Sequence, residues 1–310
     1  MIAISFDEKV KIGLQYALET LHGCSPFGLE RIRRLRFYTP DERPALETEL
    51  YNVQALAVHN EELKDTFTRL MTLLCQIKDI RNSLRRCQNG EVPDHVELFE
   101  IKGYLQRLSD IRPLLAAINE TAGLKDTALH DPAAALEILD PNHTGSRGFY
   151  IPDSATAKLK EIRAAKKDVE ERLFHAQTDA EKDDLRLQRT RICAEEESEE
   201  MKVRRTMGAQ LAPMVDDLLT DAETLGRLDF MVQKALFAVR YGGVLPQITD
   251  GELVLEDMVN PELVDLLAEQ GRAFVPVSIA LDRGATVITG ANMGGKSVAM
   301  KTVALNVLLL

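Results

Sequence analysis

The chain has 310 residues, of which 45% are hydrophobic, 28% charged and only 5% aromatic, with no tryptophan and a net charge of −11. That length buries a sizeable core in two or three domains, and many charges with few aromatics suit long, exposed, helix-rich structure better than a β-sandwich. The acidic balance argues against a general nucleic-acid coat protein, which would be basic, while leaving room for a local DNA-contacting patch. No apolar run is long enough to span a bilayer, and the first residues do not read as a signal peptide. Cys24, Cys75, Cys87 and Cys193 form no C-x-x-C pair and no metal spacing with the six histidines, so reduced thiols in a cytoplasmic protein are expected.

Residues 1–148 read as a helical core. Val10, Ile12, Leu14, Tyr16, Ala17 and Leu21 recur at helical spacing. A break follows at His22–Pro26, with Ser25 as N-cap before Pro26. Leu29 to Phe37 is expected as a short helix carrying Arg31, Arg33, Arg34 and Arg36. This arginine run is either a solvated face bonded to nearby acids or a phosphate-backbone contact. Thr39 and Pro40 start the next helix. A further helix is expected from Leu63 to Cys87, stopped by Asn89-Gly90, then others from about Asp94 to Leu108 and from Ile111 to about Gly123.

A turn-rich junction at Leu139–Gly145 leads to Phe149–Ile151, with Asp153 or Ser154 expected to cap a long helix. Residues 149–242 read as a long, coiled-coil-like helical hairpin. Leu159, Ile162, Val169 and Leu173 form a 3–4 spaced seam that Lys166 interrupts. Gln177–Asp179 supplies the turn, and Pro213 is expected to break the returning helix. Basic and acidic residues are evenly matched between Lys158 and Arg205, but Glu195–Glu197 and Glu199-Glu200 make the return locally acidic. An acidic hairpin repels phosphate, so Lys166, Lys167, Arg204 and Arg205 are the DNA-contact candidates.

Residues 243–310 start an α/β domain. Glu252–Leu255, Phe274–Leu281 and Ala285–Thr289 read as strands, with Asn260-Pro261 opening a helix to about Glu269. Gly290 through Ser297 fits G-x-x-x-x-G-K-[ST] in full. A β-branched run before it and an apolar helix after it supply the context of a phosphate-binding loop. Gly290, Gly294 and Gly295 let the backbone approach a ligand closely, and the following helix offers the positive end of its dipole. Lys296 is expected to neutralise β- and γ-phosphates, and Ser297 to place its hydroxyl on Mg²⁺. The fold class is therefore mainly α: a helical core and a long hairpin, followed by the start of a P-loop α/β ATPase domain.

Gly290, Asn292, Met293, Gly294, Gly295, Lys296 and Ser297, preceded by Phe274-Val-Pro276, resemble the phosphate loop of the MutS superfamily of ATPases. Ala291 stands where that family usually has Pro, Val298 where it has Thr, and Asn260 where it has His. Ser25–Gly28, Glu47–Leu50 and Lys78–Arg81 with Leu84–Arg86 are similar, in the same order, to the family's core domain. Tyr241–Pro246 resembles its return into the ATPase domain. The resemblance implies ATP and Mg²⁺ as cofactors, with Phe274 stacking on adenine and Asn292, Met293 and Val298 beside the phosphates. It also implies a homodimer of the full-length protein, and a helical lever coupling ATP to double-stranded or branched DNA in repair or recombination. The family's mismatch-reading wedge has no counterpart here. The metal-binding acid and water-positioning group of hydrolysis lie after the loop in this family, so the chain is expected to be an N-terminal fragment, inactive alone. The alternative is an ATP-dependent remodelling or scaffold protein acting on a protein or ribonucleoprotein.

Overall fold

A computed structural model describes residues 4–146, 148–249, 251–290 and 295–309. They are mainly α-helical, with one small two-stranded sheet. The helices are α1 (Phe6–Ile12), α2 (Leu14–Glu19), α3 (Pro26–Arg33), α4 (Arg43–Val58), α5 (Lys64–Leu74), α6 (Arg81–Gln88), α7 (His95–Ala122), α8 (Ala133–Leu139), α9 (Ala157–His175), α10 (Asp179–Leu211), α11 (Val215–Tyr241), α12 (Pro261–Glu269) and α13 (Lys296–Leu309). Strands β1 (Leu253–Met258) and β2 (Val277–Leu281) pair antiparallel. The chain divides into two compact units. One comprises residues 1–75, 114–127 and 225–310; the other comprises 76–113 and 128–224.

In the first unit, the expected first helix is two. Gly13 adopts φ 83°, and its N–H bonds the Val10 carbonyl, so a left-handed glycine ends α1 and α2 begins at Leu14. Ser25 caps α3, its hydroxyl accepting from Gly28 N at 2.9 Å. Asp229 on α11 then holds that cap. Its carboxylate accepts from Ser25 N and Ser25 Oγ, both at 2.7 Å, and from Cys24 N at 3.0 Å. Glycine is required beside it, because a Cβ at Gly28 would lie 2.1 Å from Asp229 Oδ2. Burial pushes the Asp229 carboxyl up, against the opposing effect of these bonds. Glu49 and Lys234 form a buried ion pair with Arg31 near the same carboxylate. Arg31 and Arg36 are thus tied to acids, as Arg34 is to Glu30 at 3.0 Å. That favours the solvated-face reading of the arginine run.

The second unit is built on α9 and α10, which pack as a hairpin. Leu159, Ile162, Val169 and Leu185 are buried. Thr178 caps α10 after the turn, as its position after Gln177 suggested. Thr156, rather than Asp153 or Ser154, caps α9: its hydroxyl accepts from Leu159 N at 3.0 Å, while Asp153–Ala155 forms a short 3₁₀ turn. Ala212–Met214 is another 3₁₀ turn, so Pro213 interrupts the helix as expected.

The helix expected over Leu63–Cys87 is broken between Leu74 and Arg81, straddling the boundary of the two units. The apolar spacing hid this, because Ile77 and Ile80 in the break are buried like helix residues. Asp79 starts the new helix by accepting from Arg81 N at 3.2 Å.

Candidate functional site: the phosphate loop and its cavity

The site lies in the first unit, at the N-terminus of α13. Gly290 has φ 155° and Gly295 φ 78°, backbone conformations that a Cβ would strain. Ala291, Asn292, Met293 and Gly294, between them, lie outside the described residues. The Gly295 carbonyl accepts from Ala299 N at 2.9 Å and opens the helix. The amides of a helix's first turn have no acceptor within the helix and point beyond its N-terminus. Lys296 donates from Nζ to the Gly290 carbonyl at 2.6 Å. Ser297 is exposed on the first turn of α13.

Beside the loop is a cavity of about 340 Å³, and its walls include Phe274, Val277, Ile288, Lys296, Val298 and Thr302. Phe274 is half-buried. The cavity thus brings an aromatic ring, 22 positions earlier in sequence, to the same space as the loop lysine. Ile288 and Thr302 were not singled out in the sequence. Thr302 could have been found, because it lies two helical turns from Gly295 on the same helix face.

Helix α13 is anchored through its far half. Leu305 is fully buried, and the helix packs on α1, α2 and β1. Asn306 Nδ2 donates to the Val259 carbonyl at 3.0 Å. Next to it, Asn260 caps α12, accepting from Leu263 N at 3.4 Å. The sheet is irregular between Leu255 and Met258, where Asp257 takes φ 48° and its N–H bonds Ser278 Oγ at 2.9 Å. Ala285–Thr289, expected as a strand, has no strand pairing. A strand forms only against neighbours, and the one sheet among the described residues consists of β1 and β2.

The four DNA-contact candidates lie in the other unit and meet different fates. Lys166 Nζ is 2.6 Å from Glu196 Oε2, and this bond raises its pKa. Arg204 is buried; it donates to the Pro93 carbonyl at 3.2 Å and to Glu197 at 2.7 Å. Lys167 and Arg205 are exposed, Lys167 standing 3.9 Å from Glu171. Arg163 adds a hub on the hairpin, bonding the Ile151 carbonyl, Glu196 and Glu200. The cations of α9 therefore largely serve the hairpin itself.

No protein-family model matches this chain. It is 25% identical over 279 residues to a DNA mismatch repair protein MutS of Haloquadratum walsbyi, covering 85% of this chain and 28% of that protein. It is 32% identical over 119 residues to an endonuclease MutS2 of Finegoldia magna, covering 37% of this chain and 14% of that protein. It is also 35% identical over 96 residues to a DNA mismatch repair protein MutS of Leptospira interrogans, covering 30% and 11%. The chain thus spans less than a third of the length of these curated relatives.

Proposed function

We propose that this chain, a relative of the MutS superfamily, is the ATP-binding part of a MutS-like protein of DNA repair or recombination. One observation carries this reading: Phe274 and Lys296 line a single cavity at the N-terminus of α13. An adenine ring fits against the aromatic and branched aliphatic walls. The phosphates would then meet Lys296, the N-terminal turn of α13 and the flanking glycines Gly290 and Gly295. Lys296 exchanges the Gly290 carbonyl for β- and γ-phosphate oxygens. Ser297, exposed on that same turn, suits an oxygen ligand of Mg²⁺, which when bound neutralises phosphate charge. In the complete protein, nucleotide occupancy would be coupled through the helical lever to binding of double-stranded or branched DNA.

A second reading, remodelling of a protein partner, draws on the ion-paired Lys166 and the buried Arg204, which leave the hairpin little to offer a phosphate backbone. Mobility shifts at fixed salt, with homoduplex, mismatched and branched DNA and with or without ATP·Mg²⁺, separate the two. An ATP-dependent shift supports the DNA reading. No shift with any duplex at low salt overturns it in favour of the protein partner.

A further inference from the structure

We propose that His95, Glu197 and Glu200 form a zinc-binding site in the second unit. His95 is the first residue of α7, while Glu197 and Glu200 are three positions apart on α10 and share a helix face. One ligand atom from each of the three lies within 4.8 Å of the others. His95 Nε2 is 3.2 Å from Glu200 Oε2. The edge of a tetrahedron with metal–ligand bonds near 2.0 Å is about 3.3 Å, so one edge of such a site is already at its length. A side-chain adjustment of roughly an ångström closes the rest on zinc dimensions.

The carboxylates are also oriented in the way ligating groups usually are. Arg163 holds Glu200 Oε1 at 2.7 Å, and Arg204 holds Glu197 Oε1 at 2.7 Å. Both guanidinium side chains are largely buried, at 13% and 8% exposure. Arg163 therefore fixes Glu200 Oε1 and leaves Oε2, beside His95, for a metal, and Arg204 orients Glu197, the role of outer-shell partners in known sites. The ring of Phe149 lies 6.3 Å from that of His95 and limits where the imidazole can go. One imidazole nitrogen and two carboxylate oxygens, with water as a fourth ligand, suit Zn²⁺ better than Mg²⁺ or Ca²⁺, which take oxygen alone. The bound ion would staple the start of α7 to α10. It would also give Arg204 a task other than DNA contact. The competing account is a plain ion pair between His95 and Glu200, with no metal.

Calorimetric titration of the 310-residue chain with zinc chloride and with magnesium chloride, in chelator-free buffer near neutral pH, decides between them. We expect one equivalent of zinc to bind and magnesium to give no heat at the same concentrations. Co²⁺ should show visible bands of a nitrogen- and oxygen-ligated ion without the near-ultraviolet thiolate band that Cys24, Cys75, Cys87 or Cys193 would produce. His95→Ala should abolish the site, and Glu197→Gln should weaken it by about tenfold or more. Far-UV melting of both variants checks that the hairpin remains folded, and Glu200→Gln replaces any variant that does not. Absence of zinc binding, a thiolate band, or an unchanged zinc isotherm in His95→Ala would each overturn the proposal.

Discussion

The α9–α10 hairpin buries an apolar seam while leaving Phe174, Leu187 and Met201 exposed, whereas the segment from β1 to α13 exposes valines of both its strands. In the hairpin, Leu159, Ile162, Val169 and Leu185 are buried, and Arg163, Lys166 and Arg189 bond acids on the facing helix. In the α/β segment, Val254, Val275, Val277 and Val287 are exposed, Val287 to 80%. The difference follows from the backbone. A helix makes its hydrogen bonds within itself and needs cover on one stripe only. A strand needs a neighbour for its N–H and C=O groups, and its side chains need a second layer. The helical parts therefore stand on their own contacts. Helix α13 is anchored through Leu305 and Asn306.

Removing buried groups from the helical parts should cause the largest losses of stability. Asp229→Ala leaves Ser25 N, Ser25 Oγ and Cys24 N without their acceptor. It should cost about 3–5 kcal/mol in urea unfolding, as expected when buried donors lose a shared partner. Leu159→Ala, in the hairpin seam, should cost about 2–5 kcal/mol by the same measurement. A loss under roughly 0.5 kcal/mol in either variant would mean that the helical core is not what holds these elements.

A gentler probe is pH. His130 Nδ1 lies 2.9 Å from Asp221 Oδ1, and its Nε2 lies 3.6 Å from Asp217 Oδ1. The bond to Asp221, which is fully buried, raises the His130 pKa. A raised pKa stabilises the fold below the unfolded value of about 6.5 and stops doing so as pH rises through the folded value. The urea midpoint of the chain should therefore fall, relative to that of His130→Asn, as pH rises above about 6.5. Parallel pH profiles would show that the pair carries no charge-dependent stability. The smallest effect is expected from Val287→Ala in the α/β segment, within about ±0.5 kcal/mol, since the side chain is already in water. A loss of about 2 kcal/mol there would erase the contrast between the regions.

The same contrast explains what could be read in advance. Caps and breaks with local chemistry were legible: Ser25 before Pro26, Thr178 after the hairpin turn, Asn260 before Pro261 and the interruption at Pro213. The pattern over Gly290–Ser297 was visible at once, because it is defined by glycines, lysine and serine at fixed spacing. Breaks that leave the apolar rhythm intact were not. Gly13 splits the first helix by taking a left-handed φ, and Ile77 and Ile80 keep the periodicity through the gap before α6. Long-range pairing was equally hidden. Nothing near Arg204 in the sequence says that Pro93 will accept its bond, 111 residues away. Phe274 in the same cavity as Lys296 came from resemblance and not from spacing.

Titration with a fluorescent ATP analogue shows whether Gly290–Ser297 binds a nucleotide through Lys296. The account predicts saturable, Mg²⁺-strengthened binding that Lys296→Ala abolishes while the far-UV melt stays unchanged. Equal affinity in the chain and the Lys296→Ala variant would contradict it.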